Sequence, residues 1–228
     1  YSVPENRSTS WIRVCAHKEN ELTVEDEFVG SCPVWLTKHR LVYLRSGQLY
    51  ERRNGKDRTI TGFDQPIDEI LAAPDGEHLL LVAQVPVGQR TAEIYPDLPK
   101  ASGRVLEQMM YKHWDEWVET APHPFLVSLK GHTLSQPADL LDGEPYECPM
   151  KPFGGVEQLA WSPDSRYIAY TCRKKTGLEY ALSTNSDIYI YDTRTGETRN
   201  ATEGMMGYDT NPLFSPDGRF LTWQSMER

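Results

Sequence analysis

The chain has 228 residues, 39% hydrophobic and 11% aromatic, with a formal net charge of −9 at pH 7. That length can bury a substantial core in one or two domains, and the aromatic content excludes a disordered polymer. The acidic balance argues against nucleic acid or an anionic membrane as partner, and no apolar run approaches the ~20 residues that span a bilayer.

Residues 1–7 lack the charged start and apolar core of a signal peptide, although a processed chain would read the same way. Residues 11–16 alternate apolar and polar and predict a strand. Residues 34–36 and 40–44 follow as strands. Ser46-Gly47 then turns the chain into 48–52, and Asn54-Gly55 turns it again into 58–61. Asn-Gly is a strong hairpin signal because both turn positions need positive φ. Four strands over 33–61 make one blade-sized unit. Residues 67–71 and 78–84 open the next.

The pattern then breaks over 85–122. Leu106, Met109, Met110, Trp114, Trp117 and Val118 recur at helical spacing, which predicts one helix over 106–119. Residues 125–129 return to strand character, and 134–152 read as a polar, proline-rich loop. From 155 onward, 156–161, 167–173, 187–192 and 197–201 predict four strands, with Thr195-Gly196 turning the last hairpin. Residues 211–215 and 220–224 begin a further pair.

Two stretches are near-copies. Trp161-Ser162-Pro163-Asp164-Ser165-Arg166-Tyr167-Ile168-Ala169-Tyr170 matches Phe214-Ser215-Pro216-Asp217-Gly218-Arg219-Phe220-Leu221-Thr222-Trp223, and a weaker copy runs from Ala73-Pro74-Asp75-Gly76 to Val82. Proline presets φ at the first corner of a turn, and aspartate bonds the backbone two residues on. Each copy therefore predicts a strand–turn–strand hairpin, and its aspartate is a turn former. The aspartates lie 89 and 53 residues apart, against about 40–50 residues for a four-stranded propeller blade.

The expected fold is all-β, a TolB-like β-propeller of four-stranded blades in an incomplete ring. Its segments are 1–32 (partial), 33–66, 67–152 with a helical insertion over 85–122, 153–207, and 208–228 as the start of another blade. A blade left at two strands exposes an edge. The expectation is thus a piece of a longer polypeptide, open to edge-strand association.

Cys15, Cys32, Cys148 and Cys172 show no Cys-x-x-Cys spacing, so zinc-knuckle and thioredoxin chemistry are not indicated. Buried free thiols are expected, and a disulfide stays open for an exported protein. His113 and Asp115 supply only two ligand types at close spacing, so no metal and no cofactor are expected.

The repeats resemble the propeller of the prolyl-oligopeptidase family of serine peptidases. Met110-Tyr111-Lys112-His113-Trp114-Asp115-Glu116-Trp117, Pro124-Phe125-Leu126-Val127 and Asn185-Ser186-Asp187-Ile188-Tyr189-Ile190-Tyr191-Asp192 are similar to its bacterial dipeptidyl-peptidase and acylaminoacyl-peptidase branch. The resemblance implies a separate C-terminal α/β-hydrolase domain carrying Ser, Asp and His, the serine in a Gly-x-Ser-x-Gly elbow. This chain has no such elbow, and its six histidines sit in no triad context. No catalytic residue is assigned, and the chain alone is expected to be inactive.

The implied role is to gate access and position short peptide substrates beside that hydrolase domain, in a periplasmic or otherwise exported protein, with a cytoplasmic one as the alternative. In some members an acid from a propeller insertion binds the substrate's free amine, since burying an unpaired ammonium is costly. Asp115 and Glu116 are the candidates, with Trp114 and Trp117 docking the helix that carries them; Glu107 and Glu119 rank behind. The competing reading makes the tryptophans packing residues and the acids a solvated face. The alternative function is a non-enzymatic TolB-like binding scaffold. A WD-repeat module is a weaker third reading, because Trp114-Asp115 is the lone such pair.

Overall fold

The computed structural model describes residues 8–18, 21–88, 91–98, 100, 103–106, 111–113 and 116–226. Strands β1 (Trp11–Lys18) and β2 (Glu21–Val29) form an antiparallel hairpin. Strands β3 (Ser31–Thr37), β4 (Arg40–Arg45), β5 (Gln48–Arg53) and β6 (Lys56–Thr59) form a four-stranded antiparallel meander. Next come β7 (Ile67–Ala72), β8 (His78–Pro86), a one-turn helix α1 (Thr91–Ile94), and the short pair β9 (Lys112–His113) and β10 (Glu116–Trp117). Strand β11 (Thr120–Lys130) lies between β8 and β12 (Thr133–Leu134), in the order β12-β11-β8-β7, and β13 (Ala138–Asp139) also pairs with β11. Strands β14 (Leu159–Trp161), β15 (Tyr167–Cys172), β16 (Asp187–Asp192) and β17 (Thr198–Asn200) make the next meander, with helix α2 (Gly177–Leu182) between β15 and β16. The hairpin of β18 (Tyr208–Phe214) and β19 (Leu221–Met226) follows.

The chain divides into two compact units, Tyr1–Val82 with Leu126–Pro137, and Ala83–Phe125 with Ala138–Arg228. In the first, β4 is buried on both faces, so Leu41-Val42-Tyr43-Leu44 is a continuous apolar run rather than an alternation. Val42 and Leu44 join Leu49, Ile70, Leu79 and Val127 in one cluster, while Leu41 and Tyr43 meet Ile12 and Phe28 in another. Each such side chain contributes about 1.5–3 kcal/mol through burial. The Tyr43 ring meets Phe28 edge-on at 4.8 Å and stacks on Tyr50 at 5.7 Å. Burial, followed by the nearby Asp57 carboxylate, pushes its phenol up to about 12. Arg52 fastens the β1–β2 hairpin to β5. It donates from Nε and an amino nitrogen to the two Asp26 oxygens (2.6 and 2.8 Å), and from its other amino nitrogen to Asp57 (2.7 Å).

In the second unit, Ala160, Ala169, Ile188 and Ile190 form the core of the β14–β17 sheet, with Phe214, Leu221 and Trp223 packed against it. The repeated turns share one hydrogen-bonded cell. Ser162 Oγ donates to Asp164 (2.6 Å) and accepts from the Tyr167 N–H (2.8 Å), while Asp164 accepts from the Arg166 N–H (3.2 Å). Ser215, Asp217, Phe220 and Arg219 repeat these bonds, in the same order, at 2.6, 3.0 and 3.1 Å. The weaker copy has Ala73 in the serine position. There Asp75 Oδ1 accepts from the N–H groups of Glu77 and His78, and its other oxygen lies 2.7 Å from His78 Nδ1.

The helix expected over 106–119 is absent from the described part of that segment. Residues 112–113 and 116–117 pair as strands, Lys112 opposite Trp117 and His113 opposite Glu116, and the Val118 N–H extends the ladder to the Tyr111 carbonyl at 3.0 Å. A short helix in water is marginal without a buried face. Here the aromatic and β-branched residues instead build cross-strand contacts: Tyr111 lies 6.3 Å from Trp117, and Lys112 and Arg104 lie 4.6 and 4.2 Å from the Trp117 ring centroid. The described helix of the insertion is the single turn α1.

Candidate functional site

Of the four residues singled out for substrate binding, Trp114 and Asp115 lie outside the described residues. Glu116 and Trp117 fall in β10, so Glu116 is on a strand and not on a helix. Trp117 is 38% exposed, with the Arg104 and Lys112 cations 4.2 and 4.6 Å from its ring centroid, and Glu119 accepts from Arg104 Nε at 2.7 Å.

The same hairpin leads into a cavity of about 240 Å³. Val87 and Gly88, just after β8, form one side; Val118 and Ala121, at the entry to β11, form the next. Pro145, Tyr146 and Glu147 come from the loop after β13. Lys175, Thr176, Gly177 and Tyr180 come from the connection that carries α2. The walls are mainly aliphatic and aromatic, with a few polar groups, the composition of small-molecule sites.

Glu147 is buried, at 7% exposure. Its Oε1 accepts the Tyr180 hydroxyl hydrogen and the Lys151 N–H (3.1 Å). Burial, reinforced by this carboxylate, raises the Tyr180 pKa far above its ordinary value, so the phenol stays a donor at physiological pH. The Arg173 guanidinium lies 4.4 Å from the Tyr180 ring centroid. The loop is fixed from behind: the Cys148 N–H donates to the Pro122 carbonyl (2.9 Å), and Cys172 Sγ donates to the Glu147 carbonyl (3.5 Å). Cys148 and Cys172 are free buried thiols, both raised in pKa by burial, and Cys15 is exposed.

One more polar pair stands out. His123 is 2% exposed, and its Nδ1 lies 2.8 and 3.1 Å from the Asp139 oxygens, one of which accepts the Leu141 N–H at 2.9 Å. This pair joins β11 to β13. Among the described residues no group of three or more His, Cys, Asp or Glu comes together as a metal site, and no helix is long and apolar enough to cross a membrane.

Sequence reasoning missed the cavity. Its lining comes from four separated stretches, three of them in segments read as insertion or loop, and Glu147 carries no motif.

No family model matches the chain. It is 54% identical over 169 residues to dipeptidyl-peptidase 5 of Porphyromonas gingivalis, a match spanning 74% of this chain and 24% of that protein. Dipeptidyl-peptidase 5 of Porphyromonas endodontalis is 54% identical over 171 residues, 75% of this chain and 25% of that protein. The chain is homologous to part of the dipeptidyl-peptidases 5. It spans about a quarter of the length of these curated relatives. The Aspergillus fumigatus dipeptidyl-peptidase 5 matches at 29% over 161 residues, 62% of this chain and 22% of that protein. Among solved structures, a TolB protein from Agrobacterium tumefaciens superposes with a TM-score of 0.50 at 18% identity, covering 90% of this chain and 57% of that chain. A Synechocystis apocarotenoid oxygenase does so with a TM-score of 0.50 at 10% identity, covering 91% and 46%. The TolB likeness establishes the fold, TolB-like propeller blades, and nothing about activity.

Proposed function

We propose that this chain is the propeller portion of a serine dipeptidyl peptidase, which gates and positions short peptides for a hydrolase domain carried elsewhere in the same polypeptide. The observation that carries this reading is the 54% identity to two dipeptidyl-peptidases 5 over three quarters of the chain. The chain itself lacks a Gly-x-Ser-x-Gly elbow, so its part is recognition rather than bond breaking. Asp115 and Glu116, the latter on β10, are assigned to the substrate's free amine, with Trp114 and Trp117 shaping the approach.

The test uses the natively expressed full-length protein and dipeptidyl-coumarylamides, with N-acylated counterparts as controls. Release from the free-amine substrates, abolished by a serine-directed phosphonofluoridate, is expected. No release from any dipeptidyl substrate would overturn the reading. Asp115→Asn or Glu116→Gln is expected to raise KM about tenfold or more at little changed kcat, the loss of a charged hydrogen bond made equally in ground and transition states. Unchanged KM in both variants would remove the two acids from the site.

A further inference from the structure

The cavity bounded by Val118, Tyr146, Glu147, Lys175 and Tyr180 has an asymmetric set of charges. Among the described residues that line it, the one acid is engaged: Glu147 holds the Tyr180 hydroxyl and the Lys151 N–H on a single oxygen. A cationic ligand would have to break the Tyr180 bond to reach that oxygen. Next to it, Lys174 is paired with Glu144 at 2.6 Å, and Arg173 lies against the Tyr180 ring. Lys175 differs from both. It is half-buried and lines the cavity. Among the described residues, its ammonium has no carboxylate and no ring as partner, although its backbone N–H is held by the Arg173 carbonyl at 2.8 Å. In a chain of net charge −9, an uncommitted cation at an apolar cavity is a specific local arrangement.

We propose that this cavity binds a small organic carboxylate with an apolar body, its carboxylate on Lys175 and its body between the Tyr146 and Tyr180 rings. The geometry suits it. About 240 Å³ holds a ligand of roughly ten to fifteen heavy atoms. Aliphatic walls at Val118 and Ala121 take the apolar body, and the charged hydrogen bond to Lys175 fixes its orientation. The same chemistry is offered by a free aryl or alkyl acid and by the carboxylate end of an apolar dipeptide. The inference does not depend on the peptidase reading, because it rests on the cavity and its charges alone.

Calorimetric titration of the natively expressed full-length protein with 3-phenylpropionate, 3-phenylpropionamide and valyl-phenylalanine tests it. Saturable binding of 3-phenylpropionate with a Kd on the order of 1 mM is expected, with the amide at least tenfold weaker. Lys175→Met keeps the stem and removes the charge, and is expected to reduce acid binding to the level of the amide. Ala121→Phe fills the cavity and is expected to abolish binding of all three. Tighter binding of valyl-phenylalanine than of 3-phenylpropionate assigns the site to peptide carboxylates; the reverse order assigns it to free organic acids. Equal binding of acid and amide, unchanged affinity in Lys175→Met, or no saturable binding would each overturn the proposal.

Discussion

The Tyr180 hydroxyl donates to Oε1 of Glu147, two residues 33 positions apart that line one cavity. The α2 segment has no buried residue of its own, and this bond is its polar anchor to the loop after β13. Tyr180→Phe removes one donor from a buried carboxylate while keeping the ring against Arg173. A loss of about 1–3 kcal/mol is expected, the range for a hydrogen bond to a charged group. It should appear as faster amide exchange over 177–183 and at the Lys151 N–H, with the β14–β17 ladder unchanged.

Gly76 and Gly55 make a matched pair. Both have positive φ, +69° and +70°. At Gly76 a Cβ would also overlap the Leu36 carbonyl oxygen, whereas at Gly55 it would meet nothing within 4 Å. Gly55→Ala is expected to cost about 1 kcal/mol from backbone strain alone. Gly76→Ala is expected to cost about twice that or more, since a backbone oxygen must move. Thermal melts of the two variants side by side check the difference.

The turn cells predict a serine effect. Ser162 is 2% exposed, donates to Asp164 and accepts from the Tyr167 N–H. Ser162→Ala leaves that N–H without its partner and is expected to cost about 1–3 kcal/mol by denaturant unfolding. The Ala73 copy shows how such a turn survives without a hydroxyl: its aspartate recruits the His78 ring instead.

Acid stability follows from Arg52. Hydrogen bonding from this guanidinium holds the Asp26 carboxyl below its usual value. At Asp57, burial works the other way, but the bonds from Arg52 and Arg45 outweigh it and the net shift is also downward. Both groups therefore bind protons less readily folded than unfolded. Their contribution is fully present above about pH 5 and is lost as pH falls through the ordinary aspartate range and below. Asp26→Asn is expected to flatten the fall in melting temperature between pH 5 and pH 3. An unchanged slope would mean that the β1–β2 hairpin is held by its apolar contacts alone.

The blades were legible because their signals are local. Asn54-Gly55 and the Ser-Pro-Asp turns set strand ends by φ preference and side-chain capping, and alternation marked the strands between them. Residues 40–44 read as a strand, and the burial of Val42 and Tyr43 explains why its apolar run is continuous. The β9–β10 hairpin was not legible. Leu106, Trp117 and Val118 fit a helical stripe by spacing, and only cross-strand contacts with Lys112 and the basic reach of Arg104 select the pleated form. The cavity was less legible still. Glu147 and Lys175 gain their meaning from Tyr180, and no periodicity in one stretch encodes a meeting of several.

Nearly all of the cavity's lining sits in connections between strands: the stretch after β8, the hairpin before β11, the loop after β13 and the α2 segment. Ala121 is the exception. Substitution, lengthening or trimming of those connections can thus reshape what the cavity admits while the interstrand ladders keep their register. Sequence change can accumulate at the binding wall at low cost to the scaffold, so related proteins with the same blades are free to diverge in ligand.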